Sequence, residues 1–399
     1  MQFTHTLDFM IMMPLGPQFI RTLQINTQEF GLLLSSYSFA AAVSGLLSSA
    51  YVDRFDRRKL MLGLYLLFIV GTLCCGLAPN YPALLAARAL SGAFGGILSA
   101  LVQTMVADVI PFERRGKAMG MVMASFSMST IAGVPLGLFL ANHFTLVGWR
   151  ASFLFIVLMS LGFLALGWRI LPSLTSHLER LQRGSIFSQV ATVAKEPTHV
   201  TAFAYMGIMI MSSFTVIPYF ALYMTSNVGM PDKFISVMYL CGGAATFFTA
   251  PLIGRLADRH GKLPTFRALA LAAFVPILFT THMTPVPLWI ALVNSTAFFV
   301  LVSGRMIPGM AMLTAVAQAQ VRGAFMSLVS SIQMLAAGLA SLVSGMIITR
   351  TASGQVEHYN LIGYIAVAFG VLSLWIAGRL RVAKAPQPPA TTAQEKPAA

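Results

Sequence analysis

Apolar residues along this chain come in long uninterrupted runs, not in alternation. Stretches without Asp, Glu, Lys or Arg include residues 30–52, 60–87, 89–107, 118–149, 151–168, 197–231, 234–254, 268–304, 323–349 and 358–378. A membrane-spanning helix needs about 20 predominantly apolar residues. Residues 118–149 and 268–304 have room for more than one span each, and Pro285 and Pro287 suit a turn within the second better than a helix interior. The runs predict twelve helices, near 1–20, 30–52, 59–78, 83–109, 117–140, 149–171, 199–226, 233–257, 264–283, 287–316, 322–349 and 360–378. A transmembrane β-barrel would instead show ~10-residue alternating segments, and runs such as 60–78 and 151–168 are apolar on every face. The fold class expected is therefore an all-α membrane protein with twelve transmembrane helices.

Composition agrees. Of 399 residues, 57% are hydrophobic and only 10% are charged, against about 25% charged in a soluble domain. That deficit excludes a soluble enzyme and a disordered chain. The net charge of +14 would suit nucleic acid if the basic residues formed a solvated face, but they are sorted by loop. One set of loops and the C-terminal tail hold 20 of the 26 Lys and Arg residues. The opposite loops hold Arg21, Arg150, Lys233 and Arg350, and Arg88 and Arg305 lie inside helices. By the positive-inside rule both termini are cytoplasmic, in the cell's inner membrane, and no nucleic-acid partner is expected. Cys74, Cys75 and Cys241 all fall inside spans without metal-ligand spacing. The first span is already apolar at Met1 with no basic residue before it, so the native start is expected to lie upstream.

The chain repeats itself. Asp53-Arg54-Phe-Asp-Arg57-Arg58 closes the second helix, and Gly254-Arg-Leu-Ala-Asp258-Arg259-His-Gly261-Lys262 closes the eighth, 205 positions on from Asp53 to Asp258. Arg115-Gly116 opens the fifth helix and Arg322-Gly323 the eleventh, an offset of 207. Two echoes at nearly one offset mark two pseudo-symmetric six-helix halves, a transporter architecture with its site at the midplane between them. The expected organisation is a first half over 1–171, a cytoplasmic linker over 172–198, a second half over 199–380 and a disordered cytoplasmic tail over 381–399. Ser176-His-Leu-Glu179 in the linker fits a capping box. A short surface helix and a flexible connection are both open there.

These residues resemble the major facilitator superfamily over essentially the whole chain to about residue 380. Asp53 to Arg58 is similar to the superfamily's motif A loop, with Ser49 and Asp56 where glycines are usual; the second copy, Gly254 to Lys262, is closer. Arg88-Ala-Leu-Ser-Gly92 resembles motif B, and Gly133-Val-Pro135-Leu-Gly137 resembles the antiporter motif C. Asp8-Phe-Met-Ile-Met-Met-Pro14 is similar to the first-helix motif of drug:proton antiporters, and Ser303-Gly-Arg305-Met-Ile-Pro308 to the arabinose-efflux-like permeases. The resemblance implies a gate: Asp53 facing the start of helix 11, and Arg57 paired with Asp108, latching the halves in the outward-open state. It also implies that motif C makes a tight contact between the halves.

Ionisable groups at bilayer depth cost at least ~2.5–3.5 kcal/mol on insertion scales and are usually functional or paired. Asp8, Arg88 and Arg305 are the three such residues, and the resemblance implies that all three line the central cavity. Asp8 is the candidate proton carrier, because burial favours a neutral carboxyl and a nearby arginine favours a charged one; a permanent ion pair with Arg88 or Arg305 is the other reading. Two cations to one anion lean the cavity toward polar or anionic solutes. Asn294 and Gln333 are candidate solute ligands or helix glue, and Tyr205, Phe214, Tyr219 and Phe220 a candidate aromatic wall. The function expected is proton-coupled efflux of a small sugar-like or drug-like solute by a monomer, driven by the proton gradient, with no cofactor, no metal and no enzymatic activity. Uptake symport or facilitation, and a transport-inactive sensor or scaffold with the same fold, are the alternatives.

Overall fold

The computed structural model describes residues 1–48, 55–109, 122, 125, 128–144, 146–171, 193–316 and 322–380. Among the described residues ten helical spans are long and apolar enough to cross a membrane, the shorter pieces of spans 1 and 5 are consistent with the expected twelve, and several spans are built from two pieces. Span 1 is α1 (Gln2–Ile11) followed by α2 (Gly16–Leu23). Spans 2, 3 and 4 are α3 (Thr27–Ser48), α4 (Arg57–Leu77) and α5 (Tyr81–Val109). Span 5 shows a single π turn (Ser129–Gly133) running into α6 (Val134–His143), and span 6 is α7 (Arg150–Ile170). Span 7 joins α8 (Pro197–Phe214), a 3₁₀ turn (Ile217–Tyr219) and α9 (Phe220–Ser226). Spans 8 and 9 are α10 (Asp232–His260) and α11 (Lys262–Thr281). Span 10 joins α12 (Leu288–Gly304) and α13 (Met306–Thr314), and spans 11 and 12 are α14 (Arg322–Ile347) and α15 (Tyr359–Ala377). The linker residues 172–192, the tail 381–399 and the loop 49–54 lie outside the described residues.

Span 1 departs from the continuous helix expected over 1–20. Pro14 has no N–H to give, so the chain passes through a turn at residues 12–15 before α2 starts. The same chemistry interrupts three further spans. Pro218 sits in the 3₁₀ turn of span 7, and Pro308 lies four residues after Gly304, where α12 stops. Pro135 follows the π turn of span 5 and leaves the Ile131 carbonyl without its usual i+4 donor. Pro251 and Pro276, by contrast, sit inside unbroken helices.

The outward surface is lipid-like. Phe248 and Val275 are each 71% exposed and Trp289 is 67% exposed, with Leu66, Leu158 and Trp375 exposed beside them. Such residues have no place on a water-facing helix, but they match hydrocarbon. Specific packing occurs inward. α3 lies along both α5 and α14, so it belongs to its own half and also touches the other. Its approach to α5 is at backbone distance: a Cβ on Gly92 or Gly96 would collide with the backbone of Tyr37 or Ala41. Small residues allow such contact, and close van der Waals packing is the main force between helices in lipid.

The halves meet along two seams. One is α3 against α14, where the Ser35 hydroxyl donates to Gly338 O (2.8 Å) and Thr27 to Ile348 O (2.5 Å). The Tyr219 hydroxyl, from the broken part of span 7, faces the carbonyls of Thr27 (3.1 Å) and Ser341 (3.2 Å). The other seam is α10 against the π turn and α6. At its end away from the basic loops Arg21 pairs with Asp232 (2.5 Å). A two-stranded hairpin, β1 (Thr349–Arg350) with β2 (Val356–Glu357), is pinned to span 7 by Asn227, which donates to Val356 O and accepts from Val356 N, both at 2.8 Å. The Thr27, Arg21–Asp232 and hairpin contacts lie on the side opposite the basic loops, while the α3–α14 contact continues toward the basic side, where Gly45 faces Ser331.

Two outcomes are expected. Gly96→Ala should lower stability by about 1–3 kcal/mol through overpacking against Ala41, read as a lower Tm of the detergent-purified protein; an unchanged Tm would contradict the helix approach. The Arg21–Asp232 pair is partly exposed, so a double-mutant cycle with Arg21→Ala and Asp232→Ala should give a coupling of only about 0.2–1 kcal/mol. Strict additivity would mean that the pair does not join the halves.

Candidate functional site

Four spans of the first half bring polar groups to one buried point. α1 carries Asp8 one turn before the break at Pro14, α5 carries Arg88, α4 carries Thr72 and α3 carries Tyr37. Arg88 Nη1 donates to Asp8 Oδ2 at 2.8 Å, and neither side chain is more than 1% exposed. Thr72 donates to the other carboxylate oxygen at 3.4 Å. The Arg88 guanidinium lies 4.3 Å from the centre of the Tyr37 ring, a cation–π contact that adds a second, non-ionic hold on the charge. Asp8 is the one acid buried among the described residues.

His5, one turn before Asp8 on α1, was not singled out by the sequence reading. It is buried, its ring lies 6.3 Å from Tyr37 and 5.9 Å from Phe68, and neither ring nitrogen has a partner among the described residues. It borders a narrow cleft, too small to hold a water, with Met1, Gln2, Met61, Tyr65, Leu98 and Val102. Nothing in its sequence neighbourhood distinguishes it from a packing residue.

Arg305 is not part of that cluster. It occupies the break between α12 and α13 in the second half, fully buried, and Nη2 donates to Ser212 Oγ (3.1 Å) and Ser213 Oγ (2.8 Å) of α8. The three intramembrane charges expected around one cavity thus form two sites, one per half. Ser213 stands 205 positions after Asp8, the same offset as Asp258 after Asp53. The residues that follow, Phe9 and Phe214, are therefore repeat equivalents, and their rings meet across the halves at 5.9 Å. Each half places an arginine on the same position of its first helix, with a carboxylate in one case and hydroxyls in the other.

The remaining expectations fall out as follows. Asn294 donates to Thr280 Oγ1 (2.7 Å) and so ties α12 to α11 as helix glue, whereas Gln333 Nε2 reaches only the sulfurs of Met206 (3.7 Å) and Met310 (3.8 Å). Phe220 and Tyr219 are buried core residues. In motif A, Asp53 and Arg54 and the side chain of Asp108 lie outside the described residues, so the latch does too. Arg57 is buried; Arg58 donates to Trp168 O (2.5 Å), one of the last carbonyls of α7, as an arginine at a helix C-terminus should. Asp56, where a glycine is usual, caps α4 by accepting from Arg58 N (2.8 Å). In the second copy Gly261 has φ +93°, a backbone that only glycine adopts easily, between α10 and α11; Gly254 is half-buried, and Asp258, Arg259 and Lys262 are exposed.

Motif C sits differently from the expectation. Gly133 and Gly137 face Leu7 and Ile11 of α1, in their own half: a Cβ at either would come within 2.7–2.8 Å of those side chains. Pro135 shapes the π turn. The contact with the other half is made from the opposite face, where Ile131 packs on Gly243 of α10. Residues 133 and 137 share a face by their spacing, while 131 is about 200° away around the helix. The spacing of small residues marks a close approach without saying to which neighbour.

Known proteins agree with this architecture. In solved structures, the chain is similar to a D-xylose–proton symporter (TM-score 0.75, 16% identity, covering 95% of each chain). It is also similar to the xylose transporter XylE from E. coli in an inward-open conformation (TM-score 0.72, 17% identity, covering 94% of this chain and 93% of that one). A bacterial homologue of the human lysosomal transporter Spinster, inward-facing and occupied, superposes with TM-score 0.70 at 14% identity, covering 95% and 94%. At these identities the likeness concerns the fold. Sequence comparison matches the Major Facilitator Superfamily over residues 1–215 and 201–399, and the chain therefore belongs to that superfamily of membrane transporters.

Proposed function

We propose that the protein is a proton-coupled antiporter that exports a small organic solute by alternating access, with Asp8 as the proton carrier. The observation that carries this reading is the buried Asp8–Arg88 pair. It is the one place among the described residues where a proton can be taken up by a carboxylate held away from water. A charged Asp8 satisfies Arg88, and the two can stay buried together. A protonated Asp8 no longer balances the guanidinium, and an uncompensated buried charge is strongly destabilising. Protonation therefore favours any arrangement that gives Arg88 another partner or water. α1 ends only three residues after Asp8, at the break, so a change there can tilt α2 and its Arg21–Asp232 contact without bending a continuous helix.

The basic loops support placing both termini in the cytoplasm of an inner-membrane protein. The Arg21–Asp232 and hairpin contacts then lie on the outer side, and the Asp8–Arg88 pair is buried from both sides in this state. Export is favoured by the first-helix and motif C resemblances. The same site could run as symport, so the direction of solute accumulation decides between them.

In proteoliposomes carrying a pH-sensitive dye, members of a panel of pentoses, lipophilic drugs and organic acids should evoke proton movement with the wild type. Asp8→Asn should abolish it. Since that variant leaves Arg88 unbalanced, the double variant Asp8→Asn/Arg88→Gln serves as a folded control that also lacks coupling. Proton movement that survives in both variants would rule out Asp8 as the carrier.

A further inference from the structure

Arg305 is a buried positive charge without a countercharge among the described residues. The single buried carboxylate among the described residues, Asp8, belongs to Arg88. A guanidinium has five N–H donors. The two on Nη2 reach Ser212 and Ser213, while Nε and Nη1, with the other three, have no partner among the described residues. The serines are held as acceptors, because Ser212 gives its own proton to Ala366 O of α15 (2.7 Å) and Ser213 faces Met209 O (3.4 Å). The Tyr205 hydroxyl, on the same helix as the serines, is also buried and without a partner among the described residues, and it lies against Gly309, one turn after Arg305.

A buried charge of this kind is costly. Three things restrict what would balance it. The excess is one positive charge, which calls for a monoanion. The unmet groups are three N–H donors and a hydroxyl, which suit an acceptor with several lone pairs. The adjoining space is filled by thioethers: Met209 packs against Gly309 beside Tyr205, and Met206 and Met310 contact Gln333. Methionine is unbranched and repacks easily, so these side chains can fill the place in the closed state and yield it to a ligand. Gln333, whose amide meets only sulfur among the described residues, contacts two of these methionines.

Resting on the transporter reading above, we propose that the Arg305 site binds the carboxylate of the transported solute, which is thus an organic monoanion. Arg305 receives the carboxylate, Tyr205 adds a hydrogen bond, and Ser212 and Ser213 hold the guanidinium in place. The first half carries the proton on Asp8, and the second half, at the repeat-equivalent position, carries the solute's charge.

The test uses the full chain purified in detergent. Thermal stability is read with benzoate, gluconate and lactate, each beside its neutral counterpart benzamide, glucose and lactamide, at matched ionic strength. At least one carboxylate should raise the Tm of the wild type while its neutral counterpart does not. That shift should vanish in Arg305→Gln, survive in Asp8→Asn, and need at least ~10-fold more ligand in Arg305→Lys, a loss of about 1.4 kcal/mol. Ligand-free Arg305→Gln should melt no lower than the wild type, because it removes an unbalanced charge; a purely structural arginine would give a lower Tm. If Arg305→Gln does not yield folded protein, Tyr205→Phe with Ser213→Ala carries the same comparison. Equal shifts from neutral and anionic solutes, no shift from any carboxylate, or a shift that persists in Arg305→Gln would each overturn the proposal. Solute-evoked proton movement without carboxylate preference would overturn it and leave the antiporter standing. Carboxylate binding at Arg305 without any proton movement would do the reverse.

Discussion

A carboxylate and a guanidinium joined at 2.8 Å, with no more than 1% of either side chain exposed, set the terms for the first half of this protein. Neither charge is tolerable alone in a medium that offers no water. α1, α3, α4 and α5 must therefore stay close enough to supply Asp8, Tyr37, Thr72 and Arg88 to one another. The glycines at 92 and 96 permit the close approach of α3 and α5, and the interrupted course of span 1 places the carboxylate one turn from the break. Packing, electrostatics and backbone geometry here serve one requirement, that the charges remain matched.

The second half meets the same requirement incompletely. Repeat symmetry puts Ser213 where Asp8 stands, and Arg305 reaches it from a different helical level than Arg88 does. Hydroxyl groups orient a guanidinium but do not neutralise it. Among the described residues, the buried arginine on one side of the Phe9–Phe214 contact has a carboxylate partner and the one on the other side has hydroxyl partners. A transporter gains from such an imbalance, since binding free energy that relieves a buried charge is available to drive a change of state.

Much of this was legible in the sequence, for a physical reason. Spans are visible because hydrocarbon thickness sets their length, and Asp8, Arg88 and Arg305 are visible because charges inside spans are rare. The repeat is visible in the two loop motifs. What was not legible depends on azimuth and neighbours. Pro14, Pro218 and Pro308 interrupt their helices while Pro251 and Pro276 do not, because surrounding contacts decide whether the freed carbonyl is accommodated. Gly133 and Gly137 face α1 and not the other half. That Asp8 belongs with Arg88, and Arg305 with two serines, could not be read from charge counting, and Ser212, Ser213, His5 and Tyr37 carry no sequence signal at all.

The central claim of the proposed function is that the charge state of Asp8 controls the contact between the halves on the side opposite the basic loops. Distance measurement between spin labels on the outer loops tests it most directly, with one label at Leu146 in the first half and one at Ala352 in the second, both exposed, on a background with the native cysteines replaced. The account predicts that acidification shifts the distance distribution of the otherwise wild-type protein, and that Asp8→Asn makes the distribution independent of pH. A distribution that ignores pH in the former, or a pH response that persists in Asp8→Asn, would contradict it.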